Sequence, residues 1–260
     1  MHNIPVQRRF LALVLGTAAF IPLLLLLDRP GLPTQLALGA ATAMFLVLLA
    51  RNADVDSRQI IAAIIIATTG EVILSLGWGL YTYRNALIPL YVPFGHGVFY
   101  AIAAASAQQP LLQRHAKTMT RIVLVAGTAV AMTSVLALHD QWGMLWWIAA
   151  ATLLTRSRNQ LLLSACFVYT IALEWVGTAI GNWQWAAVVP GVGLRSANPP
   201  SGVGILYILL DLITVAVCAA LPYRAGPSHP NVAHDVHVTH SAATELGADF
   251  VPAEIGAGSD

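Results

Sequence analysis

Eight apolar runs separated by short polar or turn-forming segments dominate the chain up to Leu221: Phe10 to Leu27, Gln35 to Ala50, Ile60 to Leu80, Leu87 to Ala107, Ile122 to Leu138, Trp142 to Thr155, Leu161 to Ile180 and Val203 to Leu221. Most approach the roughly 20 residues a helix needs to cross about 30 Å of hydrocarbon at 1.5 Å per residue. The pattern predicts an all-α, polytopic transmembrane bundle of about eight spans over residues 1–225. The second and sixth runs are short enough to be re-entrant, which leaves seven spans as the competing count. Beyond Gly226 the hydrophobic period stops and Pro, Gly, Ala, His and acidic residues take over, so 226–260 reads as a disordered cytoplasmic tail. His229, His234, His237 and His240 in that tail lack the helix or cysteine partners of a metal site.

Composition agrees, with 57% hydrophobic and 10% charged residues, against roughly 25% charged in a soluble domain. A soluble fold has no way to bury so much apolar surface. The basic residues orient the chain in the cell membrane. With eight spans, Arg8, Arg9, Arg51, Arg58, Arg114, Lys117, Arg121, Arg156, Arg158 and Arg224 fall on one side, while Arg29, Arg84 and Arg195 fall on the other. The positive-inside rule makes the richer side cytoplasmic and places both termini there. Arg8 and Arg9 could instead open a signal peptide, but no small-residue cleavage site follows. Cys166 and Cys218 fall in the cytoplasmic halves of their spans, where a structural disulfide is not expected.

An internal repeat is the most informative feature. Ile60 to Ala107 and Leu161 to Leu221 each carry one Glu in a span, a Gly-x-aromatic-x-aromatic exit, a Pro-bearing turn and a further span. The first copy holds Glu71, Gly79, Tyr81, Tyr83, Pro89 and Pro93; the second holds Glu174, Gly181, Trp183, Trp185, Pro190, Pro199 and Pro200. A nearly constant offset is what duplication of a four-span unit leaves behind. Two parallel repeats, about 10–107 and 122–221, then place both Glu residues at similar depth.

Intramembrane acids are costly and need a reason to be there. Glu71 shares a helix face with Thr68 and Ser75, Glu174 with Thr170, Gly177, Thr178 and Gly181, and Asp211 with Gly204, Tyr207 and Thr214. These small and polar faces should point inward. His96 joins them in Pro89-x-x-x-Pro93-Phe94-Gly95-His96-Gly97, where two prolines and two glycines are expected to interrupt the start of a span beside a hydrated pocket. In the second copy, Gly193 to Gly202, with Asn198, is too rich in turn formers to be helical and should close a cavity from outside.

The expected site therefore has Glu71, His96, Glu174 and Asp211 as catalytic groups, with Tyr81, Tyr83, Trp183, Trp185, Asn198 and Tyr207 binding substrate. A carboxyl held out of water favours its neutral, proton-carrying form, and aromatic faces stabilise a cation. That combination suits protonation of a double bond, with a second carboxylate or His activating water or removing the last proton.

Tyr169-Thr170-Ile171-Ala172-Leu173-Glu174-Trp175-Val176-Gly177, followed by Gly181, Trp183, Trp185 and Tyr207, resembles the module of small membrane carotenoid hydratases of the bisanhydrobacterioruberin type. The resemblance covers about fifty residues and implies addition of water across an isoprenoid double bond without a cofactor. A proton-coupled transporter is the alternative reading, since duplicated halves and midplane carboxyls also mark carriers. A non-catalytic membrane subunit is the third. The expected partners are the bilayer and a lipophilic small molecule. There is no basic patch for nucleic acid, no nucleotide-binding loop, no Ser-His-Asp set and no His/Cys cluster for a metal within the spans.

Overall fold

The computed structural model describes residues 4–53 and 55–221; Arg224 and the histidine-bearing segment beyond Gly226 lie outside them. In chain order the elements are α1 (Ile4–Leu27), α2 (Leu32–Ala53), α3 (Ser57–Glu71) running directly into a π-helical turn (Val72–Gly77), β1 (Tyr81–Tyr83), α4 (Val92–Ala107), α5 (Pro110–Arg114), α6 (Ala116–Leu138), α7 (Gln141–Arg156), α8 (Gln160–Ile180), β2 (Trp183–Trp185) and α9 (Ile205–Ala220).

The protein is a helix bundle of membrane type. Among the described residues, α1, α2, α3 with its π turn, α6 and α8 are long and apolar enough to cross a bilayer. α4 and α9 are equally apolar but have 16 residues each, or about 24 Å of rise. The outer surface is correspondingly greasy: Leu15, Met44, Ile65, Val125 and Leu136 are all well exposed, which suits lipid rather than water.

Short local signals set the helix ends. Asp56 accepts from the Arg58 amide at the start of α3, and Asp140 from the Gly143 amide at the start of α7. α8 stops at Gly181 in the left-handed region, and α6 at His139 in the same conformation. Pro93 sits in the first turn of α4, where its missing N–H costs nothing. The expected break at Pro93 to Gly97 is therefore absent, and His96 projects from a regular helix. Gly97 is there for packing, since a Cβ would press on Leu46 and Ile64. The span expected from Leu87 becomes helical only at Val92.

At the centre, α3 packs against α4 and α9, and α8 against α4, α6 and α9. One end of this core carries the only strands among the described residues. The two Gly-x-aromatic-x-aromatic exits pair as an antiparallel ribbon in the register Tyr81 with Trp185, Thr82 with Gln184 and Tyr83 with Trp183. Alternation along each strand buries the aromatic rings and exposes Thr82 and Gln184.

Two buried carboxylates hold that end together. Asp28, just past α1, accepts from the Tyr91 hydroxyl (3.1 Å), the Asn182 amide (3.2 Å) and the Gln35 amide (2.6 Å). Asp140, between α6 and α7, accepts from the amides of Gly143, Ala197 and Ser201 and from the Ser134 hydroxyl, at 2.8 to 3.0 Å. Arg84 donates to the last carbonyls of α8, at Ile180 (2.7 Å) and Gly181 (3.0 Å), and to the Asp28 carbonyl (3.1 Å). A guanidinium there completes acceptors that the helix leaves open and complements its dipole.

Candidate active site

Glu71 closes the α-helical part of α3, and the π turn that follows swings the chain so that β1 returns over it. The Tyr81 hydroxyl (2.7 Å) and the Tyr83 hydroxyl (2.8 Å) both donate to Glu71 Oε2. His96 Nε2, from α4, lies 3.1 Å from Oε1, and Tyr207, from α9, has its hydroxyl 2.7 Å from His96 Nδ1. A Tyr207 hydroxyl donating to Nδ1 leaves the proton on Nε2, directed at the carboxylate. Glu71 thus has partners on both oxygens, two phenols on Oε2 and His96 on Oε1, and Tyr207 in turn orients the His.

Glu174 is served differently. Trp183 Nε1 (2.8 Å) and Trp185 Nε1 (2.9 Å) both donate to Glu174 Oε2. Oε1 has no hydrogen-bonding partner among the described residues. Gly177, one turn along α8, gives Trp183 its place, because a Cβ there would collide with the indole ring.

The two arrangements correspond element by element: helix, carboxyl, left-handed Gly exit (Gly79 and Gly181), then two aromatic donors from a strand. The arrangement around Glu71 has one residue more, ten positions from Glu71 to Tyr81 against nine from Glu174 to Trp183. The π turn absorbs it, its wider ring seen in the Trp78 amide donating to the Ile73 carbonyl (2.8 Å). π turns of this sort gather at functional sites.

Both carboxyls face one cavity of about 230 Å³. His96, Tyr81, Tyr83, Trp183, Trp185 and Tyr207 line it, and the rest of the wall is largely apolar, from α1, α3 and α9. Tyr81 stacks at a tilt on Trp185 (4.6 Å between ring centres), and Tyr83 meets Trp183 edge-on (6.0 Å). The ribbon therefore seals one end of the cavity with four aromatic rings.

Of the residues expected from sequence, eight meet around this space and two do not. Asp211 is buried one turn along α9 from Tyr207, outside the lining, and has no hydrogen-bonding partner among the described residues. Four residues of helix carry it about 6 Å along the axis and about 40° round it. Asn198 likewise stays outside the lining; its Oδ1 accepts from the Trp185 amide (3.0 Å) and so holds β2. The loop it belongs to is pinned by Asp140 over the start of α7. Sequence reasoning missed Asp28, Asp140, Asn182 and Arg84, which build the frame, and Gly70 and Gly95, which line the cavity. No group of three or more His, Cys, Asp or Glu side chains among the described residues is placed to hold a metal. Comparison with known protein families, with curated proteins and with solved structures finds no match.

Proposed function

We propose that the chain is a cofactor-independent integral membrane enzyme that protonates a double bond of a lipophilic, isoprenoid- or carotenoid-like substrate, leading to hydration, cyclisation or isomerisation. The observation that carries this reading is the unequal treatment of two carboxyls facing one apolar cavity. Glu174, with both indoles on Oε2 and Oε1 open to the cavity, holds the transferable proton on the open oxygen. Glu71, with two phenols and His96 as donors, is the anion that faces it.

In the first step the alkene π electrons take the proton from Glu174 Oε1, leaving a carbocation and a Glu174 carboxylate whose charge the two indole N–H groups stabilise. The ring faces of Tyr81 and Trp185 and the Glu71 anion favour the cation. In hydration a water oxygen then bonds to the cationic carbon, and its surplus proton passes to the Glu71–His96 pair. In isomerisation or cyclisation the same pair takes a proton from carbon. Return of that proton to Glu174 restores the site, so no redox partner is needed.

The same reading has eight spans, two parallel four-span repeats and both termini cytoplasmic. It is supported by the register of the ribbon. The offset of 102 residues that relates Tyr81 to Trp183 and Tyr83 to Trp185 also relates Thr82 to Gln184, its own partner in the ladder. An antiparallel pair of equivalent strands with equivalent residues at its centre has a local twofold axis there.

Lipid extracts from cells with the native chain, without it, and with Glu174→Gln, compared by mass spectrometry, test the proposal. A product 18 mass units heavier than its precursor, or isomeric with it, should require both the chain and Glu174. Unchanged lipids in all three would sink the enzyme reading and leave a proton-coupled carrier or a scaffold.

A further inference from the structure

We propose that the cavity is loaded sideways from the membrane, through the crevice between α3 and α9, by an apolar chain whose reactive end reaches Glu174 while the remainder stays in lipid, and that Gly70 sets the width of this entrance. The proposal rests on the cavity being the site of the chemistry above. Most of the cavity wall is buried or half-buried. The exposed lining residues are Leu209 and Ile213, at 41% and 45%, both on α9; α3, which packs against α9, contributes Ile66 and Gly70 to the lining, and the π turn contributes Leu74. The ribbon closes one end of the cavity with its buried aromatic rings. Entry is therefore lateral, between two helices at membrane depth.

The local twofold makes the opening informative, because the same crevice occurs twice. Its counterpart lies between α8 and α4, and there α1 is laid against both helices, with Ile21, Leu24 and Leu25 forming part of the wall. Leu173 occupies the position before Glu174 that Gly70 occupies before Glu71. Across α3 and α9 no helix among the described residues plays the part of α1. One crevice is covered and filled, the other uncovered and left thin.

Gly70 is not needed by the backbone or by packing. It lies inside α3 without a positive φ, and a Cβ added to it would meet nothing within 4 Å. Glycine in a helix interior lowers helix stability and is otherwise unrewarded here. Space kept open at a cavity rim is space for something that comes and goes. The rim residues Ile66, Leu74, Leu206, Leu209 and Ile213 are all hydrocarbon, so a charged or heavily hydrated headgroup cannot pass at reasonable cost. The end that enters is apolar, and the first polar atoms it meets are those of Glu174, Glu71 and His96.

The purified protein in phosphatidylcholine vesicles, irradiated with a long-chain alkene bearing a diazirine beside its terminal double bond, provides the test. Mass spectrometry should find label on Glu174 or Tyr207 in the native chain, and Gly70→Leu should lower it at least tenfold. Label on lipid-facing Val125 and Leu136 of α6 should stay constant and certify insertion. Should Gly70→Leu fail to accumulate, Ile213→Trp narrows the entrance from an exposed position and should have the same effect. Undiminished cavity label in the entrance variants, or native label concentrated on Leu25 and Leu173, would overturn lateral entry at α3–α9. Labelling does not depend on turnover, so the two proposals separate. Blocked label in Gly70→Leu with full product formation in Glu174→Gln removes the acid and keeps the entrance; the reverse pattern removes the entrance and keeps the acid.

Discussion

At the scale of single residues, the consequence of placing two indoles on one oxygen of Glu174 is that Gln is a nearly ideal replacement in shape. Its carbonyl can accept from Trp183 and Trp185 while its NH₂ takes the place of Oε1, so Glu174→Gln should insert and melt like the native protein. As general acid it should fail, with product formation falling by about 10² to 10⁴. Glu174→Leu leaves two buried indole N–H groups unpaired, each costing about 1 to 3 kcal/mol, and should lower the melting temperature in detergent as well. Equal loss of stability in the Gln and Leu variants would mean that the carboxyl is a strut. Asp140 should show the strut behaviour outright: Asp140→Ala strands three buried amides and the Ser134 hydroxyl, a loss of at least about 3 kcal/mol by the same reckoning, visible as poor accumulation or a lowered melting transition. Which residues could be read in advance follows from contrast. Glu71, Glu174 and His96 stand out against apolar runs. Asp28 and Asp140 sit at the ends of such runs, where an acid looks solvated, and only the fold shows that Tyr91, Asn182 and the 195–202 loop converge on them. Asp211 stood out equally, but belonging to the helix face of Tyr207 did not settle depth.

At the scale of elements, strand pairing was not legible because three-residue strands have no length over which alternation can declare itself. What pairs them is the return of two chains over two carboxyls. The π turn follows from the same logic. The mismatch of one residue between the copies is visible in sequence, but its resolution, a bulge in α3 rather than a shifted strand, is settled by the hydrogen bonds from Tyr81 and Tyr83 to Glu71. Deletion of Ile73, an exposed residue of the π turn, should therefore be absorbed: the turn reverts to α-helix, the Glu71 to Tyr81 spacing becomes that of the second copy, and the melting temperature stays within a few degrees of native. Deletion of the exposed Ala179 from α8 has no such reserve. It rotates the following chain by about 100°, separates Trp183 and Trp185 from Glu174, and should abolish accumulation of folded protein. The yield of folded protein from the two deletions, with a thermal melt of whichever accumulates, checks this, and equal damage from both would remove the π turn's role as the absorber of an extra residue.

At the scale of the whole molecule, the direction of each helix follows from contacts between segments far apart in sequence. Asp28, at the end of α1, is bonded to Tyr91 at the start of α4 and to Asn182 just past α8; Asp140, at the end of α6 and start of α7, is bonded to Ala197 and Ser201 shortly before α9. Those ends share one face with the ribbon. At the opposite face Arg9 donates to the Arg51 carbonyl (3.2 Å), joining the start of α1 to the end of α2. Arg29, Arg84 and Arg195 fall on the ribbon face, whereas Arg8, Arg9, Arg51, Arg58, Arg114, Lys117, Arg121, Arg156 and Arg158 fall on the other. Under the proposed orientation, which follows the positive-inside rule, the ribbon face is the outer one. Single cysteines in a background free of Cys166 and Cys218 should confirm it: a cysteine at Thr82 or Gln184, both exposed on the ribbon, should react in intact cells with a membrane-impermeant maleimide, and one at Asn52 or Ser157 only after lysis. A reporter fused after Asp260 should give the cytoplasmic signal. Reaction of the Asn52 or Ser157 cysteine in intact cells, with Thr82 protected, would invert the molecule in the membrane and place the sealed end of the cavity on the cytoplasmic side.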